Sequence, residues 1–108
     1  MFKQLSVTDA QAKISQSAFI LLDVRDMASY LAGHLPGAKL FTPENFKQIL
    51  QQTDKQQPVL VYCYHGYSSQ RVAEFLGLEG FTTVYNLVGG FTAWQQTYPH
   101  AIEYGEKL

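Results

Sequence analysis

Cys63 is the only cysteine in the 108-residue chain, and it directly follows the apolar residues 59–62. A polar stretch that contains a glycine, residues 64–69, comes next and leads into a helix-like pattern. Backbone N–H groups in such a loop, together with a helix N-terminus, favour the thiolate form of a cysteine, which is the nucleophilic form. The alternative is that Cys63 is a small buried apolar residue without reactivity. The neighbouring residues leave both interpretations open.

The composition is that of an ordinary globular protein, with 46% hydrophobic and 16% charged residues. A chain of this length fits one domain that buries roughly 60 to 70% of its unfolded surface. The net charge of −1 provides no basic surface, so we expect no nucleic-acid partner and no membrane partner. One cysteine cannot form an internal disulfide, and the histidines are too scattered for a metal site, at His34, His65 and His100.

The location of the protein is predicted from what the sequence lacks. The longest apolar run, residues 59–64, is much shorter than the roughly 20 residues that span a bilayer. The N-terminus has no apolar core of the kind that a signal peptide carries. A single free cysteine is typical of a reducing compartment. We therefore expect a soluble, cytoplasmic protein.

Strand and helix patterns alternate along the chain. Apolar or β-branched stretches predict strands at residues 19–24, 39–41, 58–63 and 82–86. Helices are predicted by a capping-box pattern that opens at Thr8, at residues 27–31, from Pro43, at residues 69–78 and at residues 91–98. This alternation predicts an α/β fold with a mostly parallel sheet between helices, whose binding site lies at the carboxyl ends of the strands. Cys63 lies at such an end.

Four motifs give the chain a family resemblance. They are Leu22-Asp23-Val24-Arg25, Gly33-His34-Leu35-Pro36-Gly37-Ala38 with Tyr30 before it, Cys63-Tyr64-His65-Gly66-Tyr67-Ser68-Ser69, and Asn86-Leu87-Val88-Gly89-Gly90-Phe91-Thr92-Ala93-Trp94. In this order and spacing they resemble the rhodanese (thiosulfate sulfurtransferase) family over nearly the whole chain, and most of all its GlpE-type single-domain bacterial members. The resemblance implies one rhodanese-like domain over residues 1–108, with a mostly parallel central sheet of about five strands flanked by helices on both faces.

The resemblance also implies a reaction. In this family the cysteine opens a loop of six residues whose amides point inward, and here that loop is residues 63–68. Cys63 would be the catalytic nucleophile that takes sulfur from thiosulfate as a persulfide, releases sulfite, and passes the sulfur to cyanide, a thiol, a dithiol or a protein thiol. The family needs no metal and no organic cofactor.

Residues around the cysteine are the candidates for substrate binding. The loop contributes Tyr64, His65, Gly66, Tyr67 and Ser68. Arg25 and Arg71 are candidates for steering an anionic sulfur donor. Asp23 and Arg25 stand two residues apart at a predicted strand end, and this spacing also fits a structural ion pair. No Lys or Arg lies between Cys63 and Ser69, so backbone amides would have to provide most of the positive field around the thiolate.

Two other functions remain as alternatives. Cysteine-dependent phosphatases of a related fold use a loop one residue longer that ends in arginine, which clamps a phosphate dianion. Here Ser69 stands six residues after Cys63, and the nearest arginine is Arg71. A non-catalytic rhodanese-like binding or regulatory module would keep the fold without turnover. Such modules usually lose the cysteine, and this chain keeps it.

Overall fold

The computed structural model describes residues 1–105, and these contain one sheet of five strands. In chain order the strands are β1 (Lys3–Leu5), β2 (Ile20–Asp23), β3 (Lys39–Leu40), β4 (Val59–Tyr62) and β5 (Val84–Leu87). Their order across the sheet is β1-β5-β4-β2-β3, and every neighbouring pair is parallel. The strand that ends next to Cys63, β4, therefore lies at the centre of the sheet.

Helices cover both faces of this sheet. In chain order they are α1 (Val7–Gln16), α2 (Met27–Ala32), α3 (Phe46–Gln52), α4 (Ser69–Leu78) and α5 (Gly90–Thr97). Side chains of a strand point alternately to its two faces, and all four residues of β4 are fully buried. Leu60 and Tyr62 pack in one apolar cluster with Trp94 of α5, while Val59 and Val61 pack in a second cluster that includes α4. The predicted α/β fold with a parallel sheet between helices is confirmed.

One strand is absent from the sequence-based prediction. The strand β1 contains only three residues, and of these only Leu5 is buried. A segment this short carries no alternating pattern that would identify it. It becomes a strand because its backbone pairs with β5, with Gln4 opposite Asn86. This pairing joins residues far apart in the chain, so local patterns could not show it.

Several predicted boundaries shift by a few residues. The helix α1 begins at Val7 because Ser6, not Thr8, is its N-cap, and the Ser6 hydroxyl accepts the Asp9 N–H at 3.2 Å. The helix predicted from Pro43 begins at Phe46, after a turn in which the Asn45 side chain accepts the Thr42 N–H at 2.8 Å. The prediction of α4 at residues 69–78 is confirmed.

No helix within residues 1–105 is long and apolar enough to cross a membrane. The predicted domain range of 1–108 includes residues 106–108, which lie outside the described residues.

Candidate active site

Cys63 lies immediately after the central strand, at the carboxyl edge of the sheet. Its side chain is largely buried, with 5% of its surface exposed. It stands in the wall of an open hollow of about 310 Å³ whose lining residues are Val24, Arg25, Asp26, Cys63, Tyr64, His65, Tyr67 and Ser68. A small solute can therefore approach the sulfur from one side only.

Hydrogen-bond donors surround the Cys63 sulfur. The backbone N–H of Gly66 lies 3.1 Å from Sγ, the N–H of Ser69 lies 3.4 Å from it, and the Ser69 hydroxyl lies 3.1 Å from it. Burial alone would raise the pKa of the Cys63 thiol, but the hydroxyls of Ser68 and Ser69 and the two backbone donors lower this pKa to about 7. These donors stabilise negative charge on the sulfur, and the loop itself contains no Lys or Arg.

The first turn of α5 holds the beginning of the loop. The N–H of Phe91 donates to the carbonyl of Cys63 at 2.8 Å, and the N–H of Thr92 donates to the carbonyl of Tyr64 at 3.0 Å. A Cβ atom on Gly90 would overlap both of these carbonyl groups, so a glycine is needed where the helix meets the loop. The carbonyls of Cys63 and Tyr64 are thus turned toward α5.

Two side-chain amides hold the middle of the loop. The Gly66 carbonyl accepts from Asn86 Nδ2 at 3.0 Å and from Gln70 Nε2 at 2.9 Å. The carbonyl of Tyr67 accepts the N–H of Gln70 at 3.1 Å. The C=O and N–H of a trans peptide point in opposite directions, so loop carbonyls held on the outside leave the amides free to face inward. The loop can therefore act as a cradle for an anion.

Arg25 lines the hollow, but its charge is already paired. Its Nη2 lies 2.6 Å from Asp23 Oδ2 and donates to the carbonyl of Gly33 at 2.6 Å. Burial would lower the pKa of Arg25, but the hydrogen bond to Asp23 and the charge of that carboxylate outweigh burial and raise this pKa. The guanidinium also lies 4.2 Å from the ring centroid of Phe91 and 4.8 Å from that of Tyr64. The sequence offered both a steering role and a structural ion pair for Arg25, and these contacts are those of the ion pair.

The remaining loop side chains form the rim of the hollow. Tyr64 and Tyr67 are 45% and 78% exposed, so they present aromatic surface to solvent around the entrance. The Tyr64 hydroxyl donates to the hydroxyl of Ser29 at 2.8 Å, which ties this ring to α2. His65 is exposed beside Tyr64, with the ring centroids 6.1 Å apart. The rim thus carries aromatic rings and one imidazole.

Arg71 is not brought to the hollow with the other candidate residues. It is exposed on α4 and lines a separate groove with Val24, Phe41, Thr42, Pro43, Phe46, Val72 and Phe75. Val24 is the residue that this groove shares with the hollow at Cys63. Arg71 can therefore act on an anion only at the periphery of the site.

Two further residues lie at the site, Ser69 and Asn86, and the sequence pattern did not identify them as candidates. Both side chains are fully buried, and the Ser69 hydroxyl lies 2.5 Å from Asn86 Oδ1 as well as 3.1 Å from the sulfur. One signal was present in the sequence. Asn86 is an amide in an otherwise apolar strand, and buried polar groups need specific partners.

The described residues contain no group of three or more His, Cys, Asp or Glu side chains arranged to hold a metal ion. The chemistry that the geometry supports is centred on the sulfur. A buried thiol with a lowered pKa, faced by backbone and hydroxyl donors, can attack an electrophile and then hold an anionic product.

Known proteins resemble this chain in sequence and in structure. Residues 6–97 match the family model of the rhodanese-like domain. The thiosulfate sulfurtransferase GlpE of Pseudoalteromonas translucida (strain TAC 125) is 36% identical over 102 residues, which cover 94% of this chain and 97% of the relative. The rhodanese-like domain of the Alr3790 protein from Anabaena sp. superposes with a TM-score of 0.84 at 26% identity, over 96% of this chain and 80% of that one. A rhodanese-like domain protein from Staphylococcus aureus superposes with a TM-score of 0.81 at 24% identity, over 97% of this chain and all of the other.

Proposed function

The chain belongs to the rhodanese family and is of the GlpE type, and from this premise we propose that it is a thiosulfate sulfurtransferase with Cys63 as its nucleophile. Family membership supports sulfurtransferase activity in general. The specific donor, the persulfide on Cys63 and the choice of acceptors are the proposal. The observation that carries it is the set of donors around a buried sulfur whose pKa is lowered to about 7.

The first half of the reaction loads the enzyme with sulfur. The Cys63 thiolate attacks the outer sulfur of thiosulfate and forms a new S–S bond. The bond within thiosulfate breaks, and its electron pair leaves with sulfite. The enzyme then carries a persulfide whose terminal sulfur is anionic, which is covalent nucleophilic catalysis.

The second half returns the enzyme to its starting state. A nucleophilic acceptor such as cyanide or a thiolate attacks the terminal sulfur of the persulfide. The S–S bond to Cys63 breaks, its electron pair stays on the cysteine sulfur, and the thiolate is restored. Cyanide leaves as thiocyanate and a thiol leaves as its own persulfide.

The loop stabilises the charge in both states. Its inward-facing amides and the N-terminus of α4 present partial positive charge to the cysteine sulfur and to the terminal sulfur one bond beyond it. Loop residues Tyr64, His65, Gly66, Tyr67 and Ser68 would contact the donor, the backbone through its amides and Ser68 through its hydroxyl. Arg25 would stabilise the geometry of the site through its ion pair with Asp23. Arg71 would attract an anionic donor from the neighbouring groove.

The phosphatase alternative is not favoured by the site. Phosphate clamping needs a planar bidentate cation at the end of the loop. Ser69 occupies that position, and Arg71 lines the neighbouring groove. We therefore expect no hydrolysis of a generic aryl phosphate that depends on Cys63.

The shape of the hollow suits more than one class of sulfur acceptor. The open hollow with exposed aromatic rings at its rim suits a dithiol or a protein thiol as readily as cyanide. A free, reactive thiol also needs a reducing compartment, so we propose a cytoplasmic location, with no membrane or nucleic-acid partner.

Intact-mass spectrometry tests the proposal directly. Treatment with thiosulfate should add one sulfur atom to the protein, and cyanide should then remove it as thiocyanate. The Cys63→Ser variant should gain no sulfur, and His100→Gln, a change at an exposed residue outside the hollow, should behave as the unmodified protein. Because the chain has a single cysteine, an adduct has one location. No adduct on the unmodified protein would favour a non-catalytic binding module, and sulfur transfer by Cys63→Ser would remove Cys63 from the mechanism.

A further inference from the structure

The Asn86 side chain is the branch point of a buried hydrogen-bond network beneath the loop. Its Nδ2 donates to the Gly66 carbonyl at 3.0 Å and to Gln4 Oε1 of the edge strand at 2.8 Å. Its Oδ1 lies 2.5 Å from the hydroxyl of Ser69. All of the hydrogen-bonding groups of the amide are thereby used.

The orientation of this amide follows from its partners. A backbone carbonyl only accepts hydrogen bonds, so the nitrogen of Asn86 must face Gly66. The oxygen must then face Ser69. Since Gln4 lies opposite Asn86 in the parallel pair β1–β5, its side chain holds the second hydrogen of the same nitrogen.

We propose that Asn86, together with Gln70, is a positioning residue that holds the Gly66 peptide so that loop amides face the sulfur of Cys63. The inference rests on the proposed function in taking Cys63 as the nucleophile. Asn86 approaches the Gly66 carbonyl from β5, and Gln70 approaches it from α4. With the carbonyl held from both sides, the Tyr67 N–H of the same peptide must point the opposite way. The Gly66 N–H belongs to the preceding peptide, and it lies 3.1 Å from the sulfur.

Loss of Asn86 would act on the pKa of Cys63 in two opposite ways, one through the Ser69 hydroxyl and one through the Gly66 carbonyl. This hydroxyl has one hydrogen and two possible acceptors, Asn86 Oδ1 and the cysteine sulfur. Loss of Asn86 would leave the thiolate as the one acceptor for this shared hydrogen, which alone would strengthen that hydrogen bond and lower the pKa of Cys63. Loss of the hydrogen bond to the Gly66 carbonyl would weaken the amide donors to the thiolate and raise the pKa of Cys63. The freed hydroxyl strengthens one hydrogen bond to the thiolate, whereas a displaced loop would weaken two backbone donors, the N–H groups of Gly66 and Ser69, so we expect the pKa of Cys63 to rise on balance.

The test measures the apparent pKa of Cys63 in neutral, nearly isosteric variants. Asn86→Leu and Gln70→Met each remove one hydrogen bond to the Gly66 carbonyl, and the double variant removes both. Gln51→Met is the matched control, because Gln51 is exposed on α3 and does not line the hollow. The groups that line the hollow and could titrate or carry charge are the same in all variants: Arg25 with Asp23 behind it, Asp26, Tyr64, His65 and Tyr67.

The readout is the rate of alkylation of the single cysteine by iodoacetamide as a function of pH. We expect about a threefold loss of thiolate below the midpoint in each single variant and at least tenfold in the double variant, where tenfold corresponds to one pKa unit. The double effect should exceed the product of the two single effects, because either amide alone still holds the carbonyl. Gln51→Met should leave the midpoint unchanged.

A fall of the pKa in Asn86→Leu would mean that the freed Ser69 hydroxyl dominates, and it would overturn the proposal. An unchanged midpoint in the double variant would overturn it as well. Should Asn86→Leu fail to fold, as judged by circular dichroism, Gln70→Met still decides: it must raise the midpoint, and an unshifted midpoint would contradict the positioning role. Alkylation requires no sulfur transfer, so this result is independent of whether thiosulfate is the donor.

Discussion

At Cys63, burial and hydrogen bonding act on the thiol in opposite directions. Burial disfavours the thiolate, because charge is poorly solvated inside a protein. The surrounding donors, the hydroxyls of Ser68 and Ser69 and the backbone N–H groups of Gly66 and Ser69, outweigh this cost and lower the pKa to about 7. The loop therefore replaces solvent with fixed dipoles, and no cationic side chain is needed inside it.

The pKa of Cys63 sets a pH dependence for the first half-reaction. The reactive form is the deprotonated one, so the rate of persulfide formation should be half-maximal near pH 7 and constant well above this value. Below that value the rate should fall about tenfold for each pH unit, since the thiolate fraction falls with protonation. Stopped-flow measurement of sulfite release in a single turnover gives the midpoint.

Substitution of Ser68 or Ser69 tests whether the hydroxyl donors set this midpoint. Ser68→Ala and Ser69→Ala should each move the midpoint to higher pH by about half a unit to one unit, because each removes a donor to the anion. The plateau at high pH should change much less than the midpoint. A midpoint in the unmodified protein near the ordinary thiol value of about 8.5 would contradict the stabilised thiolate.

Among the elements, the loop takes its shape from the strand and helices around it. N–H groups of α5 donate to the carbonyls of Cys63 and Tyr64. Side chains on α4 and β5 donate to the carbonyl of Gly66. Gly66 itself has a φ of +87°, and a Cβ there would lie 2.8 Å from the carbonyl oxygen of Leu87 and 2.9 Å from the N–H nitrogen of Gly89. The loop can pass this close to the end of β5 only without a side chain.

This close approach predicts a large cost for Gly66→Ala. Left-handed strain and overlap with backbone atoms together should lower the free energy of unfolding by about 3 kcal/mol or more. In the Gly66→Ala protein that still folds, Cys63 should be alkylated slowly at neutral pH, because the displaced loop no longer presents its amides to the sulfur. Chemical denaturation and iodoacetamide alkylation measure the two effects.

Gly37 provides the matched control for that substitution. Its φ is +80°, close to that of Gly66, but no heavy atom lies within 4 Å of a Cβ built on it. Gly37→Ala should therefore show the backbone strain alone, about 1 to 2 kcal/mol, with an unchanged Cys63 midpoint. Equal costs for the two substitutions would show that the contact with β5 does not constrain the loop.

Across the whole molecule, Arg25 joins segments that are distant in the chain. It pairs with Asp23 at the end of β2, donates to the carbonyl of Gly33 after α2, and lies against the rings of Tyr64 and Phe91. Asp23 is fully buried, so its contact with Arg25 offsets the cost of burying a carboxylate. Arg25 thus connects the end of β2 with the residue after α2, with the loop and with α5.

Removing one partner of this pair should destabilise the protein strongly. Arg25→Met leaves the Asp23 carboxylate buried without its cation, which should cost about 3 to 5 kcal/mol of unfolding free energy. The double variant Asp23→Asn with Arg25→Met should lose less than Arg25→Met alone, since no buried charge remains. Equilibrium unfolding in urea compares the two, and a cost below about 1 kcal/mol for Arg25→Met would put the pair in the class of weak surface bridges.

The sequence predicted the site unevenly, for reasons visible at particular residues. Cys63 and α4 were predictable because an apolar strand, a loop with glycine and a helix pattern follow one another directly in the chain. The strand β1 was not, because its three residues become a strand only by pairing with β5. Arg71 was close to the loop in sequence, yet α4 carries it to a different groove.

The sequence by itself determined three features: the position of Cys63 as the candidate nucleophile, the six residues between the strand and α4, and the alternation of elements that places them at a sheet edge. These are local features, since each depends on neighbours within one or two turns of chain. Only the tertiary structure decided which distant groups hold the loop: Asn86 of β5 and the first turn of α5. They meet Cys63 because parallel pairing brings β5 beside β4 and turns the following helix back onto the loop. Such contacts join residues about twenty or more positions apart, whose register is fixed by packing of the whole sheet rather than by any local pattern.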